Sequence, residues 1–234
     1  MPTNDDTTSA PAERTLSAEI KLHYDLHAPG TSGEPAPLVV ALHGYGGSKS
    51  WALREARKFA PAGFAVAALQ GPHQHIRPAK EPGGELRYGF GWLTNFRAEE
   101  SVALHHRALL DLVSSLVAER IADARRVFLF GFSQSCALNY RFAFTHADIL
   151  RGVVGVCGGL PGDWETSRLY APTEAAVLHL AGTRDEFYDP DHVAAYAGRL
   201  RLRARDVECK TYDAGHELTP AMSDSIRAWL AARA

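Results

Sequence analysis

Short, nearly continuous apolar runs alternate along this chain with longer segments in which apolar residues return every three or four positions. Residues 38–42, 64–69, 127–130, 153–157 and 177–180 lack the polar alternation of a half-exposed strand, so they predict strands buried on both faces. Residues 207–212 form a weaker strand candidate. Val102, Leu109, Leu112, Val113 and Leu116 share one helical face, and so do Met222, Ile226, Trp229 and Leu230. Thr219 followed by Pro220 supplies that last helix with a cap and a first-turn proline. The alternation predicts the α/β class, with a mostly parallel central sheet and helices on both faces. No internal repeat is visible.

One segment interrupts this rhythm. Residues 71–97 carry Pro72, Pro78, Pro82, Gly83, Gly84, Gly89 and Gly91, with Tyr88, Phe90 and Trp92 interleaved. A loop of that length inside a domain is usually functional, and its aromatic content points to the wall or cover of a pocket.

A length of 234 residues suits one α/β domain, placed at 16–234. Residues 1–15 are polar and rich in Thr, Asp, Ala and Pro, and read as a disordered tail without the basic start and apolar stretch of a secretory signal. No apolar run approaches the roughly 20 residues that cross a bilayer. The expectation is therefore a cytoplasmic protein with no membrane span. Hydrophobic residues make up 46% and charged residues 22%, with a net charge of -2, which argues against nucleic acid as a partner and leaves a small molecule. The composition leaves the oligomeric state open. Cys136, Cys157 and Cys209 are odd in number and widely spaced, so no disulfide framework is expected.

The chemistry enters with Gly131-Phe-Ser133-Gln-Ser135, which follows a predicted buried strand and leads into a helical stretch. A nucleophile elbow needs that context, with small residues two positions either side of the serine because the turn is tight and strained. Ser135 stands where the pattern G-x-S-x-G has glycine. The bland alternative is that Ser133 merely caps the helix. A serine hydroxyl needs an imidazole to take its proton, and the imidazole needs a carboxylate to fix its tautomer. Asp185 lies just past the strand at 177–180 and His216 just past the strand at 207–212, in the chain order such sites use. Asp185 competes with Glu186 and Asp189, and His216 with His192 and His146. Leu42-His43-Gly44-Tyr45-Gly46-Gly47 offers a turn for an oxyanion hole, whose donors are assigned to the backbone N–H groups of Tyr45 and Gln134, with His43 a structural residue of the turn.

With these motifs in order, and with Gly159-Leu-Pro161, Gly182 to Asp185 and Gly215-His216, the chain resembles the phospholipase/carboxylesterase family of α/β-hydrolases, which includes the acyl-protein thioesterases. The resemblance implies the α/β-hydrolase fold, the triad Ser133, Asp185 and His216, and acyl-pocket places for Trp92 and Leu160. The expected reaction is hydrolysis of small to medium carboxylic esters through an acyl-enzyme, with acyl thioesters or lysophospholipids, which the family also cleaves, as the alternative. The chain departs from the family at Ser135, usually glycine, and at Leu93, commonly aromatic. No cofactor is implied, and no metal site: His73-x-His75 lacks a clear third ligand. Two readings of other kinds stand beside the esterase: a binding module with an idle triad, and a hydrolase using Cys136 as nucleophile.

Overall fold

The structure is a computed structural model that describes residues 12–29, 33–77, 79, 81 and 83–234. Residues 1–11 of the expected tail lie outside the described residues, and 12–15 carry no regular element. In chain order the first half comprises β1 (Tyr24–His27), β2 (Ala36–Leu42), α1 (Lys49–Phe59), β3 (Ala65–Leu69), β4 (His73–Arg77), β5 (Arg87–Gly91) and α2 (Ala98–Ala118). The second half comprises β6 (Ala122–Phe132), α3 (Gln134–Thr145), β7 (Gly152–Val156), β8 (Ala176–Gly182), α4 (Pro190–Ala194), α5 (Tyr196–Arg201), β9 (Val207–Tyr212) and α6 (Pro220–Ala231).

Seven strands form one sheet in the order β1-β3-β2-β6-β7-β8-β9. Only β1 runs antiparallel, against β3; the other pairs are parallel. Every residue of β2 is buried because both its faces are covered. Val39 and Ala41 pack with Phe59 of α1, Phe130, and Trp229 of α6. Leu38, Val40 and Leu42 pack on the other side with Leu109 and Leu116 of α2 and Leu138 and Phe142 of α3. The expected strands and the two expected helix faces coincide with these elements, and Thr219 caps α6 by accepting from Met222 N. The periodicity did not single out β1 or α1, whose buried face is made largely of alanine, at Ala52 and Ala56, with Phe59.

Because β3 lies on one side of β2 and β6 on the other, the chain reverses direction across the sheet there, and a crevice opens beyond the carboxyl ends of β2 and β6. That crevice positions the site. The segment 71–97 differs from the expected loop: β4 and β5 form an antiparallel hairpin in register from His73↔Gly91 to Arg77↔Arg87, with residues 78, 80 and 82 outside the described ones. Of the glycines that suggested a loop, Gly89 is needed for close approach. A Cβ on Gly89 would lie 2.8 Å from both His75 Nε2 and Arg77 Cδ, and 2.9 Å from Gly46 Cα. The hairpin is pinned to the turn after β2, with Gly46 N donating to Phe90 O at 2.8 Å and Phe90 N to Gly47 O at 3.2 Å.

Candidate active site

Ser133 sits between β6 and α3 with φ 57° and ψ -118°, a conformation strained for any residue with a side chain. The strain is held by neighbours that leave no room to relax. Ser133 N donates to Val156 O at 2.9 Å, and the Ser133 carbonyl accepts from Cys136 N at 3.0 Å. A Cβ on Gly131 would meet Asn139 Nδ2 at 2.6 Å, and one on Gly158 would meet Cys136 Sγ at 2.4 Å and Ser133 O at 2.5 Å. Glycine is therefore required on β6 and in the loop after β7, the two segments that flank the first turn of α3.

The loops after β8 and β9 extend the pairing of those strands, Thr183 N donating to Tyr212 O at 2.8 Å and Arg184 N to Ala214 O at 2.9 Å. This carries Asp185 and His216 to the same edge as Ser133. His216 Nε2 lies 2.9 Å from Ser133 Oγ, and His216 Nδ1 lies 3.0 Å and 3.1 Å from the two carboxylate oxygens of Asp185. Asp185 Oδ1 also accepts from Phe187 N at 2.9 Å and Tyr188 N at 3.1 Å, which fixes the carboxylate. The Asp185 side chain is 1% exposed and that of His216 14%. With Nδ1–H donated to the carboxylate, Nε2 is left as the acceptor facing the hydroxyl. Phe132, Phe187 and Tyr188 surround the imidazole, with ring centroids at 5.0, 4.8 and 5.8 Å. Burial pushes the Tyr188 phenol up to about 12, so it stays a donor.

The rival residues take other roles. Asp189 caps α4 through Asp191 N, and Glu186 Oε2 accepts from the His216 backbone at 3.3 Å. His192 is exposed on α4, while His146 ends α3 and packs on Phe142.

On the other side of the crevice, His43 is built into the turn after β2. Its Nδ1 donates to Gly44 O at 2.7 Å, and its Nε2 accepts from Gly71 N at 3.0 Å. Burial lowers its pKa from 6.5 to about 4 and keeps it neutral. Tyr45 is 65% exposed and stacks on His75 at 4.5 Å and 7°. The Gln134 side chain is clamped by Trp92 N, which donates to Oε1 at 2.9 Å, and by Leu93 O, which accepts from Nε2 at 3.1 Å.

Ser135, the departure from the glycine pattern, is fully buried. Its Oγ accepts from Phe132 N at 3.0 Å and reaches Leu42 O at 3.1 Å and Phe132 O at 3.0 Å. Residue pairing between β2 and β6 ends at Leu42↔Gly131, so the hydroxyl bridges the two strands one step further, where they separate to open the crevice.

A cleft of about 440 Å³ adjoins His216, lined among others by Tyr45, Trp51, Arg77, Phe132 and Leu218. Neither Trp92 nor Leu160 is part of that lining. Trp92 is 1% exposed and donates through Nε1 to His43 O at 2.9 Å, beneath the turn. Leu160 is half-buried against the α2–α3 side of the core. Sequence reasoning missed Trp51, Arg77 and Phe132 as lining. Phe132 was the variable position of the elbow motif, and the other two lay in segments whose path the pattern did not specify. His73 Nε2 lies 2.9 Å from Ser101 Oγ, whereas His75 stacks on Tyr45 and its buried Nε2 has no hydrogen-bond partner among the described residues. All three cysteines are free, and Cys136 and Cys157 are buried.

A sequence model of the phospholipase/carboxylesterase family matches residues 30–233. NocK of Nocardia uniformis subsp. tsuyamanensis, provisionally named an esterase, is 32% identical over 187 residues, which are 77% of this chain and 49% of that protein. The chain thus spans about half the length of that curated relative. Among solved structures, a Bacillus cereus carboxylesterase has a similar fold, with a TM-score of 0.70 at 17% identity over 91% of this chain and 95% of that one. A Mesorhizobium loti carboxylesterase gives 0.70 at 21% identity over 93% and 98%. Both likenesses speak to the fold. Among the described residues no helix is long and apolar enough to cross a membrane.

Proposed function

From the premise that this chain belongs to the phospholipase/carboxylesterase family of α/β-hydrolases, we propose that it is a serine esterase acting on carboxylic esters of small to medium acyl chain. The observation that carries this reading is the unbroken hydrogen-bonded path from Ser133 Oγ through the His216 ring to Asp185. His216 takes the Ser133 proton as the hydroxyl attacks the ester carbonyl, then returns it to the departing alcohol, leaving an acyl-enzyme that water cleaves by the same route. Asp185 holds the imidazole in the required tautomer and stabilises its cationic form. The backbone N–H groups of Tyr45 and Gln134 receive the developing oxyanion. Clamping the Gln134 side chain supports this role, because it fixes the peptide whose N–H is used. The cleft beside His216, with Tyr45, Trp51, Phe132 and Leu218 in its lining, supports an ester that carries an apolar group.

Covalent labelling by a fluorophosphonate probe, lost in Ser133→Ala, tests the nucleophile. Rates on nitrophenyl esters from acetyl to palmitoyl test the chain length. A folded protein that takes no label would favour a binding module, and rates that climb toward palmitoyl would favour the long-chain alternative.

A further inference from the structure

The cleft beside His216 contains a guanidinium held in place by backbone rather than by an acid. The Arg77 side chain crosses two glycines: a Cβ on Gly89 would lie 2.8 Å from its Cδ, and one on Gly46 would lie 3.4 Å from its Cζ. Its Nη1 donates to Gly46 O at 3.1 Å, and among the described residues it forms no ion pair. One of its five donors is thus engaged and the planar fork remains available. The other charged residues of the lining are acidic and differ in their circumstances. Glu55 is already matched by Arg54 at 3.0 Å and Lys58 at 2.7 Å. Glu217 is exposed, as Arg77 is, so water and salt screen both, and the two form no ion pair among the described residues. The remaining wall is aromatic and aliphatic, from Tyr45, Trp51, Phe132 and Leu218.

A cleft beside His216 with an aromatic and aliphatic wall and one backbone-bonded cation suits an ester whose non-reacting end carries a carboxylate. We propose that Arg77 is a specificity residue that binds a carboxylate on the substrate, so that the enzyme favours anionic esters over neutral ones of the same size. This rests on the serine-esterase reading of the same site. The guanidinium reaches solvent, so the discrimination is modest, about tenfold in kcat/KM, below what a fully buried charge-assisted bond would give.

The test compares two matched ester pairs in the full chain. Nitrophenyl hemiadipate against nitrophenyl hexanoate puts the carboxylate on the acyl side, and 3-carboxyphenyl butyrate against phenyl butyrate puts it on the alcohol side. For each pair the anionic-to-neutral ratio of kcat/KM is measured in the wild type and in Arg77→Gln, the neutral ester correcting for any effect of the lost Gly46 contact. The wild-type ratio should exceed that of Arg77→Gln about tenfold for one of the pairs, shrink as salt is raised, and be retained in part by Arg77→Lys. A quotient near one for both pairs, with the neutral esters cleaved, overturns the assignment and leaves the esterase standing. Failure of the wild type to cleave any of the four esters or to take the fluorophosphonate label overturns both.

Discussion

Replacing Ser135 by alanine isolates the hydroxyl that bridges β2 and β6. The substitution strips a partner from Phe132 N and from Leu42 O, two backbone groups at the buried ends of the strands that lead into Ser133 and the turn at Tyr45. A buried group left without its partner costs about 1–3 kcal/mol. Alanine is the better helix former near the start of α3, which returns only about 0.5 kcal/mol. The loss wins, and a net destabilisation of about 2 kcal/mol is expected. For a chain of this size each kcal/mol moves Tm by about 2–4 °C, so the midpoint should fall by roughly 4–8 °C. Scanning calorimetry of wild type and Ser135→Ala reads it directly. Ser135→Gly should fall at least as far, because it loses the same bonds and adds backbone freedom within the helix. Because the bridge joins the strands that lead to Tyr45 and Gln134, the proposed oxyanion donors, kcat on a neutral ester should drop in Ser135→Ala while KM changes less. A midpoint within 1 °C of the wild type, with kcat intact, would refute the bridge as a structural joint.

Asp185→Asn keeps an oxygen for the Phe187 and Tyr188 amides but loses the tautomer control over His216, so kcat should fall about 10⁴-fold with the fold intact; retention of a tenth of the activity would count against the triad. Burial lowers His43 and His179 to about 4 and His105 to about 3, below the 6.5 of an unfolded chain. These groups favour folding above pH 6.5 and progressively less as pH falls toward their folded values, each removing about 2 kcal/mol between pH 7 and 5. Urea unfolding at the two pH values checks this, and equal stability would be the contrary result. Burial raises the Cys136 thiol well above its ordinary range and the Cys157 thiol to about 12. Iodoacetamide at pH 8 should therefore spare both in the native protein and modify Cys209 first; rapid loss of activity through Cys136 would instead favour a cysteine nucleophile.

The parts of the site that could be read in the sequence are those written in local patterns. Strands buried on both faces produce apolar runs, and the strained turn after one of them needs Gly131, so Ser133 announces itself. Asp185 follows because it sits one turn past such a run, and His216 because it sits past the weaker strand at 207–212, in the chain order the elbow calls for. What stayed hidden depends on chain segments that meet only in three dimensions. Gly158 is demanded by Cys136 and by the Ser133 carbonyl, contacts that no spacing reveals. The β4–β5 hairpin lacks the β-branched alternation of a strand, since its glycines are selected by the packing of His75, Arg77 and the turn at Gly46. Arg77 consequently looked like one polar residue of a proline-rich loop rather than part of a cleft.

The crevice is assembled from two halves with separate supports. The proton path hangs from the ends of β6, β8 and β9, tied together by backbone bonds that prolong the sheet. The turn proposed to bind the oxyanion hangs from β2 and is held from outside by the hairpin, through Gly46, Gly47 and the Tyr45–His75 stack. Two side chains next to Ser133 join the halves: Ser135 fastens the strand ends and Gln134 fastens the segment that follows the hairpin. Serine at a position where the family usually has glycine is then no weakening of the elbow. The hydroxyl occupies space that glycine would leave empty, and it bonds the two strands that must separate at that point for a substrate to enter between them.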